Sequence, residues 1–470
     1  MNEKKELKMG KEKTNWLNSD TTAENEVLPG YVKWAWSSRA LSLVVNTTLV
    51  AQITFYCTDV LKMPAGMVGV LLLISKIFDG FTDLIAGYII DKTDTRIGKA
   101  RPYEIFIVFT WLLTVFLFSA PNLSLTGKAI YIFVLYSLIN SVCHTFLDGA
   151  DAVYLRRSIR NDRNRVGVVA FSSALVLIST IVVFIVQPQM LKSIGTSHSG
   201  WMRMTVMFAI PLAVIGMLRF VLVKEVVNKE AVTEEKQAKV PIPDMLRCLF
   251  KNKYIWIIGA VSFLANLHLN TYGSVSNYYF KYIVGDIGVG SLAAATNLVT
   301  PILMIFYPAI SKKLGNGNLL RLSAVCCIVG ALIRLIGGTA KAAIMVGTIF
   351  TTVSFIPASF MISIYLIDCM TYGEWKSGIK LEGMTTSVTA FLNKIAKGLS
   401  SGLVGLIMGL AGYDGALEIQ TKSANSAIIG LYNVLPFVIG IIALVVSIFY
   451  RLDKELPGIK EELEARNKGI

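Results

Sequence analysis

Charge is what this sequence has least of. Asp, Glu, Lys and Arg together make up 16% of the 470 residues, against 54% hydrophobic, which is too little to cover the surface of a water-soluble chain of this length. Histidine is rarer still. His144, His198 and His268 are the only three, and none stands in a motif of nucleophilic, acid–base or zinc chemistry, so no enzyme is expected. The six cysteines, Cys57, Cys143, Cys248, Cys326, Cys327 and Cys369, lie mostly inside apolar runs without metal-ligand spacing. They read as small buried hydrophobes, and no cofactor is implied. No soluble output domain is recognisable, which argues against a membrane sensor. The first thirty residues, with Lys4, Lys5, Lys8, Lys11 and Lys13, have no small-residue cleavage site and are expected to be a polar tail.

What is present is a series of long apolar runs. A bilayer core of roughly 30 Å needs about 20 apolar residues in a helix, because lipid offers no partner for unpaired backbone groups. On that measure the chain is an all-α polytopic membrane protein of about twelve transmembrane helices, expected at 31–58, 67–90, 102–120, 128–155, 166–188, 203–223, 254–284, 289–311, 319–338, 343–370, 383–412 and 425–450. The polar stretch from Lys224 to Lys253 divides them six and six. The expected organisation is therefore an N-terminal tail at 1–30, a six-helix bundle at 31–223, a central loop at 224–253, a second bundle at 254–450 and a C-terminal tail at 451–470.

The net charge of +14 raises the question of nucleic acid, but the basic residues sit in short loops without interleaved aromatics and fit the lipid bilayer better. Lys92, Arg96, Lys99 and Arg101 follow the second span, Arg156, Arg157, Arg160, Arg163 and Arg165 the fourth, and Lys312, Lys313 and Arg321 the eighth. The opposite loops carry little beyond Lys62, Lys128 and Lys192, so the tails and the central loop are expected in the cytoplasm. A short echo joins the halves: Gly87 to Lys92, running on to Gly98-Lys99, holds the same loop as Ser311-Lys312-Lys313-Leu314-Gly315. With the six-plus-six count it points to two pseudo-symmetric bundles.

Three spans carry charges where lipid would not tolerate them. Asp79 and Asp83 lie four apart in the second span and share a helix face. An acid near the centre of a span costs about 2.5–3.5 kcal/mol on insertion scales, so the pair needs compensation. A shared Na⁺, Li⁺ or proton would supply it, and so would an ion pair with Lys76 or Lys394. In the fourth span Thr145 and Asp148 lie three apart and offer hard oxygen ligands; Asp151 reads either as part of that set or as a partner of Arg156 and Arg157. In the eleventh span Lys394 and Lys397 lie too deep to snorkel and are expected to pair with carboxylates. Gly398, Gly402, Gly405, Gly409 and Gly412 follow at the spacing of close helix packing.

With those residues on the page, the chain resembles the glycoside-pentoside-hexuronide:cation symporters of the major facilitator superfamily, the family of the melibiose and glucuronide permeases. The resemblance runs over nearly all the spans. Its most specific parts are Phe55-Tyr-Cys-Thr-Asp59-Val, Lys76-Ile-Phe-Asp79-Gly-Phe-Thr-Asp83, Asp91 to Pro102 with Arg96-Ile-Gly-Lys99-Ala-Arg-Pro102, and Tyr372-Gly-Glu374-Trp followed by Leu381-Glu382-Gly383. It implies the major facilitator fold, an inner-membrane location, and uptake of a sugar or glycoside coupled to Na⁺, Li⁺ or H⁺. It also implies that Asp79, Asp83 and Thr145 bind the cation, with Asp79 and Asp83 as ligands if that cation is Na⁺. Asp148 then stands at the sugar site, and Lys394 links the two sites.

The sugar half departs from the family. Arg39 stands where many relatives carry an aspartate, no basic residue lies between Arg165 and Gln187, with Ser173 near the place of a sugar-binding arginine, and Ala152 replaces an aromatic residue. A guanidinium facing the cavity at Arg39 would favour an anionic solute such as a hexuronide; an arginine reaching the headgroups would favour nothing. A cytoplasmic gate is expected between Arg165 and Asp368 or Glu374. The alternatives are a proton-driven exporter or a lysolipid-type carrier on the same fold, and a non-transporting sensor.

Overall fold

The computed structural model describes residues 28–159, 162–194, 196–225, 250–378 and 382–467, and these are helical apart from short connections. In the first half α1 spans Gly30–Val60, α2 Ala65–Lys92, α3 Phe106–Leu117, α4 Leu125–Ser158, α5 Asp162–Ile194 and α6 His198–Leu222. In the second, α7 is Lys253–Tyr278 continued by Tyr279–Val284, and α8 is Val289–Ala295 and Val299–Leu314. α9 is Asn316–Gly337, α10 Lys341–Val353 and Ile362–Ser377, α11 Glu382–Leu410, and α12 Lys422–Ile429 and Leu435–Ile448. They fall on the twelve predicted spans. Most of the predicted N-terminal tail and central loop, 1–27 and 226–249, lies outside the described residues.

Taken singly, six helices among the described residues are long and apolar enough to cross a membrane: α1, α4, α5, α6, α9 and the run Lys422–Arg466. The shortfall in others has visible causes. α2 carries Lys76, Asp79 and Asp83 in its middle and α11 carries Lys394 and Lys397, while α8 and α10 are interrupted at Thr296–Leu298 and Ile356–Phe360. Charges at such depth must face protein or water.

Wide π turns interrupt the α-helical pattern at Tyr56–Val60, Leu138–His144, Tyr279–Val284, Ile356–Phe360 and Gly430–Val434. The first four fall in α1, α4, α7 and α10, every third helix, which is the periodicity of a fold built from three-helix repeats. Each inserts a residue and turns the side chains that follow it to a new heading.

The described chain forms two compact units that do not follow the sequence halves. One holds α1 up to Val50, Ser75–Thr180 and α6 from Ser199; the other holds the α1–α2 corner Ala51–Ile74, the α5–α6 corner Ile181–His198 and the second half of the chain. The core of the first unit gathers Val32, Trp36, Tyr103, Tyr154, Val168 and Val223. In the second, α2 and α11 meet along a glycine seam: a Cβ on Gly405 would fall 2.5 Å from the Gly69 Cα, and one on Gly409 2.5 Å from the Gly66 nitrogen. Two helix backbones approach this closely only without side chains.

The expected C-terminal tail is folded. Leu452–Asn467 forms α13, with Leu452 and Ile459 buried against Tyr254, Tyr365 and Tyr450. Its Asp453 accepts from the Gly317 N–H at 2.5 Å, an anion placed on the unpaired amides that open α9.

Candidate functional site

The deep charges of the first unit fall into two adjoining groups, and α4 contributes to both. In the first group, α2 presents Asp79 and Asp83 on one face and α4 brings up Thr145, the residue directly after its π turn. The Thr145 hydroxyl lies 3.1 Å from Asp83 Oδ1, 3.4 Å from Asp79 Oδ1 and 3.3 Å from the Asn140 carbonyl. Its single proton satisfies one of these at a time. Lys76, one turn before Asp79, places its ammonium 3.4 Å from Asp79 Oδ2 and 3.4 Å from Asn140 Oδ1, over the Tyr136 ring at 5.6 Å. The three residues expected as oxygen ligands converge, and Lys76 pairs with one of them.

This donor set consists of two carboxylates, a hydroxyl, a backbone carbonyl and an amide oxygen. Every atom is a hard oxygen, which suits Na⁺, Li⁺ or a proton and does not suit a soft metal.

The second group lies one turn further along α4. Asp148 is three residues after Thr145, about 4.5 Å of helix rise, and its side chain is 68% exposed. Beside it Arg39 of α1 is buried. Its guanidinium pairs with Asp151 and lies 3.9 Å from Asp148 and 3.8 Å from Glu104. Arg219 of α6 completes the group, 2.7 Å from Asp151 and 3.5 Å from Glu104, with its guanidinium 3.5 Å from the Trp36 ring centroid and 4.7 Å from that of Tyr154.

Neither sequence alternative for Arg39 describes this environment, because the side chain meets three carboxylates, not a headgroup or an open cavity. Asp151 likewise takes Arg39 and Arg219 as partners, where the sequence had offered Arg156 and Arg157. Arg219, Glu104 and Asn140 escaped the sequence reading. An arginine three residues from the end of an apolar span reads as a boundary, and an asparagine within one carries no charge to notice.

Of the remaining expected residues, Lys394 lies exposed on α11 in the other unit. Arg165 donates its Nε–H to the Ile159 carbonyl at 2.8 Å, Asp368 accepts from the Asn316 amide at 3.1 Å, and Glu374 stands in the last turn of α10. Ala152 and Ser173, the two departures from the family pattern, are both exposed.

The chain matches the profile of the family described as MFS/sugar transport protein over residues 38–454. It belongs to that family. Among its relatives, the isoprimeverose transporter of Lactiplantibacillus pentosus is 29% identical over 455 residues, covering 94% of this chain and 92% of that protein. The glucuronide carrier protein homolog of Escherichia coli (strain K12) is 25% identical over 440 residues, covering 88% and 90%. Solved structures of a D-xylose-proton symporter (TM-score 0.61, 14% identity, 88% of this chain and 96% of that one) and of the nucleoside transporter NupG (TM-score 0.58, 14% identity, 89% and 97%) share the fold. The resemblance to the glycoside-pentoside-hexuronide:cation symporters is borne out. As a member of this family the chain is a multi-pass membrane transporter.

Proposed function

We propose that this protein is a cation-coupled symporter that takes up a neutral glycoside by alternating access. The observation that carries the reading is the convergence of Asp79, Asp83 and Thr145 one helix turn from Asp148. A cation seated among those oxygens pulls α2 and α4 together and fixes the turn that presents Asp148 to the solute. Binding of either ligand then favours the other. The family membership and the sugar-transporting relatives support symport of a sugar or glycoside.

Charge argues for a neutral solute over a hexuronide. The guanidiniums of Arg39 and Arg219 are both engaged by Glu104, Asp148 and Asp151, so neither is left to receive a solute carboxylate. Arg39 acts through Asp148, holding that carboxylate in place. Lys394 of α11 is assigned to the solute as the family pattern implies. The tails and central loop lie in the cytoplasm, where Arg165 pairs with Asp368 or Glu374 while the site faces outward.

Membrane vesicles with an imposed Na⁺, Li⁺ or proton gradient test this directly. A neutral glycoside, isoprimeverose included, should accumulate under one of the three gradients, and its glucuronide counterpart should not. Arg39→Gln should weaken glycoside counterflow at least tenfold. Preferential uptake of the glucuronide, lost in Arg39→Gln, would return Arg39 to the role of a substrate ligand; efflux driven by a proton gradient would make the protein an exporter.

A further inference from the structure

α1 ends in a π turn, Tyr56–Val60, that buries an acid. The side chain of Asp59 is 1% exposed, and it belongs to neither group of charges in the first unit. Its Oδ1 pairs with the Lys281 ammonium and accepts from the Tyr282 hydroxyl at 2.6 Å; its Oδ2 accepts from the Tyr413 hydroxyl at 2.5 Å. One residue earlier the Thr58 hydroxyl bonds that of Tyr278 at 2.7 Å. Lys62, just beyond α1, donates to the Gly415 carbonyl. Lys281 and Tyr282 lie in the π turn that ends α7, and Tyr413 and Gly415 in the turn after α11.

A buried carboxylate is tolerated when both oxygens are hydrogen-bonded and its charge is paired, and removing one partner leaves an uncompensated charge. Here the acid comes from α1 and every partner from α7 or the turn after α11. A movement that parts these elements bares a carboxylate, an ammonium and two phenols together, so the contact is kept or lost as a whole.

Two other contacts of the same unit follow the same pattern. At the α5–α6 corner Lys192 pairs with Asp286 at 2.9 Å and the Ser291 hydroxyl donates to the Ile185 carbonyl at 2.7 Å. The glycine seam joins the start of α2 to the end of α11. Each contact joins one of the first six helices to one of the last six, at the end opposite the basic loops Lys92–Arg101 and Arg156–Arg165. By the distribution of positive charge, that end faces away from the cytoplasm.

We propose that Asp59, with Lys281, Tyr282 and Tyr413, is the latch that holds the outer mouth of this transporter shut, and that its release admits solute from outside. The proposal rests on the alternating-access reading and adds to it the residues that set the balance between its states. The glycine seam fits any close pair of helices, whereas the Asp59 cluster is chemically specific and can be broken one group at a time.

Cys57, buried two residues from Asp59, is a built-in reporter. In a chain whose other five cysteines are replaced by serine, a membrane-impermeant maleimide applied to intact cells should label Cys57 slowly. Asp59→Asn and Lys281→Gln should each raise the rate at least tenfold, and Tyr413→Phe should raise it less. The exchange of Asp59→Lys with Lys281→Asp should bring it back toward the parent. Unchanged labelling in both single variants overturns the latch, as does an exchange variant labelled as fast as the singles. If a charge variant fails to reach the membrane, Tyr413→Phe decides: no faster labelling there refutes the proposal. The readout needs neither solute nor cation, so failure of glycoside uptake with the expected labelling would count against the proposed substrate and leave the latch standing.

Discussion

Replacing Asp79 or Asp83 with Asn removes one of the two carboxylates that converge on the Thr145 hydroxyl. The proposed cation site then keeps one carboxylate where two converged, and its hold on a coupling cation is weakened. One monovalent cation moving through about 100 mV supplies about 2.3 kcal/mol. At 1.4 kcal/mol per tenfold that sustains roughly 40-fold accumulation. Either substitution should therefore lower the accumulation ratio in energised vesicles from that order to unity, while equilibrium exchange of solute persists and membrane insertion is unchanged. The assay is uptake of labelled glycoside in vesicles under an imposed potential with Na⁺, Li⁺ or proton gradients, beside counterflow in de-energised vesicles. Concentrative uptake by both single variants would show that the cation binds elsewhere.

Glu225, buried at the end of α6, accepts the backbone N–H groups of Lys99, Ala100 and Arg101 at 3.0, 2.9 and 3.0 Å and pairs with Arg157 at 3.5 Å. Hydrogen bonds to a charged group are worth about 1.5–3 kcal/mol each, so Glu225→Ala should release the α2–α3 loop. Limited trypsin digestion at Arg96 and Lys99 should then speed up at least tenfold; an unchanged rate would mean that the loop is held by other contacts. For the proposed cytoplasmic gate, Asp368→Asn should increase alkylation from the cytoplasmic side of a cysteine introduced into the cavity. Unchanged alkylation there and in Glu374→Gln would remove the gate.

The fold was legible because lipid imposes a length and a polarity on a span, and six helices met both outright while others fell short only where deep charges or a break interrupt them. The meeting of Asp79 and Asp83 was legible for the same reason inverted: an acid in the middle of an apolar run is costly enough to stand out, and a spacing of four fixes its face. What stayed hidden was partnership. The buried neighbours of Arg39 come from the turn before α3, from α4 and from α6, and no spacing in the sequence encodes such a meeting. α13 was hidden for another reason. Its charges read as a solvated tail, yet Leu452, Leu456, Ile459 and Leu463 recur every three or four residues and all pack on the same core, a signal present in the sequence and outweighed there by composition.

The two polar groups of α1 bear on how such a chain could move. Arg39 ties α1 to α4 and to the turn before α3, and shares Asp151 and Glu104 with Arg219 of α6. Separating these elements would strand the buried charges of Arg39, Arg219 and Glu104, so this part of the unit behaves as one block. Asp59, twenty residues later on the same helix, is tied as firmly to α7 and the turn after α11. Between them the α-helix breaks at Ala51 and Gln52, where Gln52 has φ −84° and ψ 4°, and the boundary between the two units falls at Val50 and Ala51. Gln52 accepts from the Asn277 side chain and donates to the Gly273 carbonyl, both at 3.0 Å, so its side chain belongs with α7 while the residues before it belong with α4. If the Asp59 latch opens as proposed, a bend at this break would leave the Arg39 network intact within its own unit. The coupling therefore predicts a directional result: Gln52→Ala, which frees the break from α7 and leaves both charge networks whole, should speed labelling of Cys57 without altering the thermal stability of the protein, and a loss of stability with no change in labelling would assign Gln52 to packing alone.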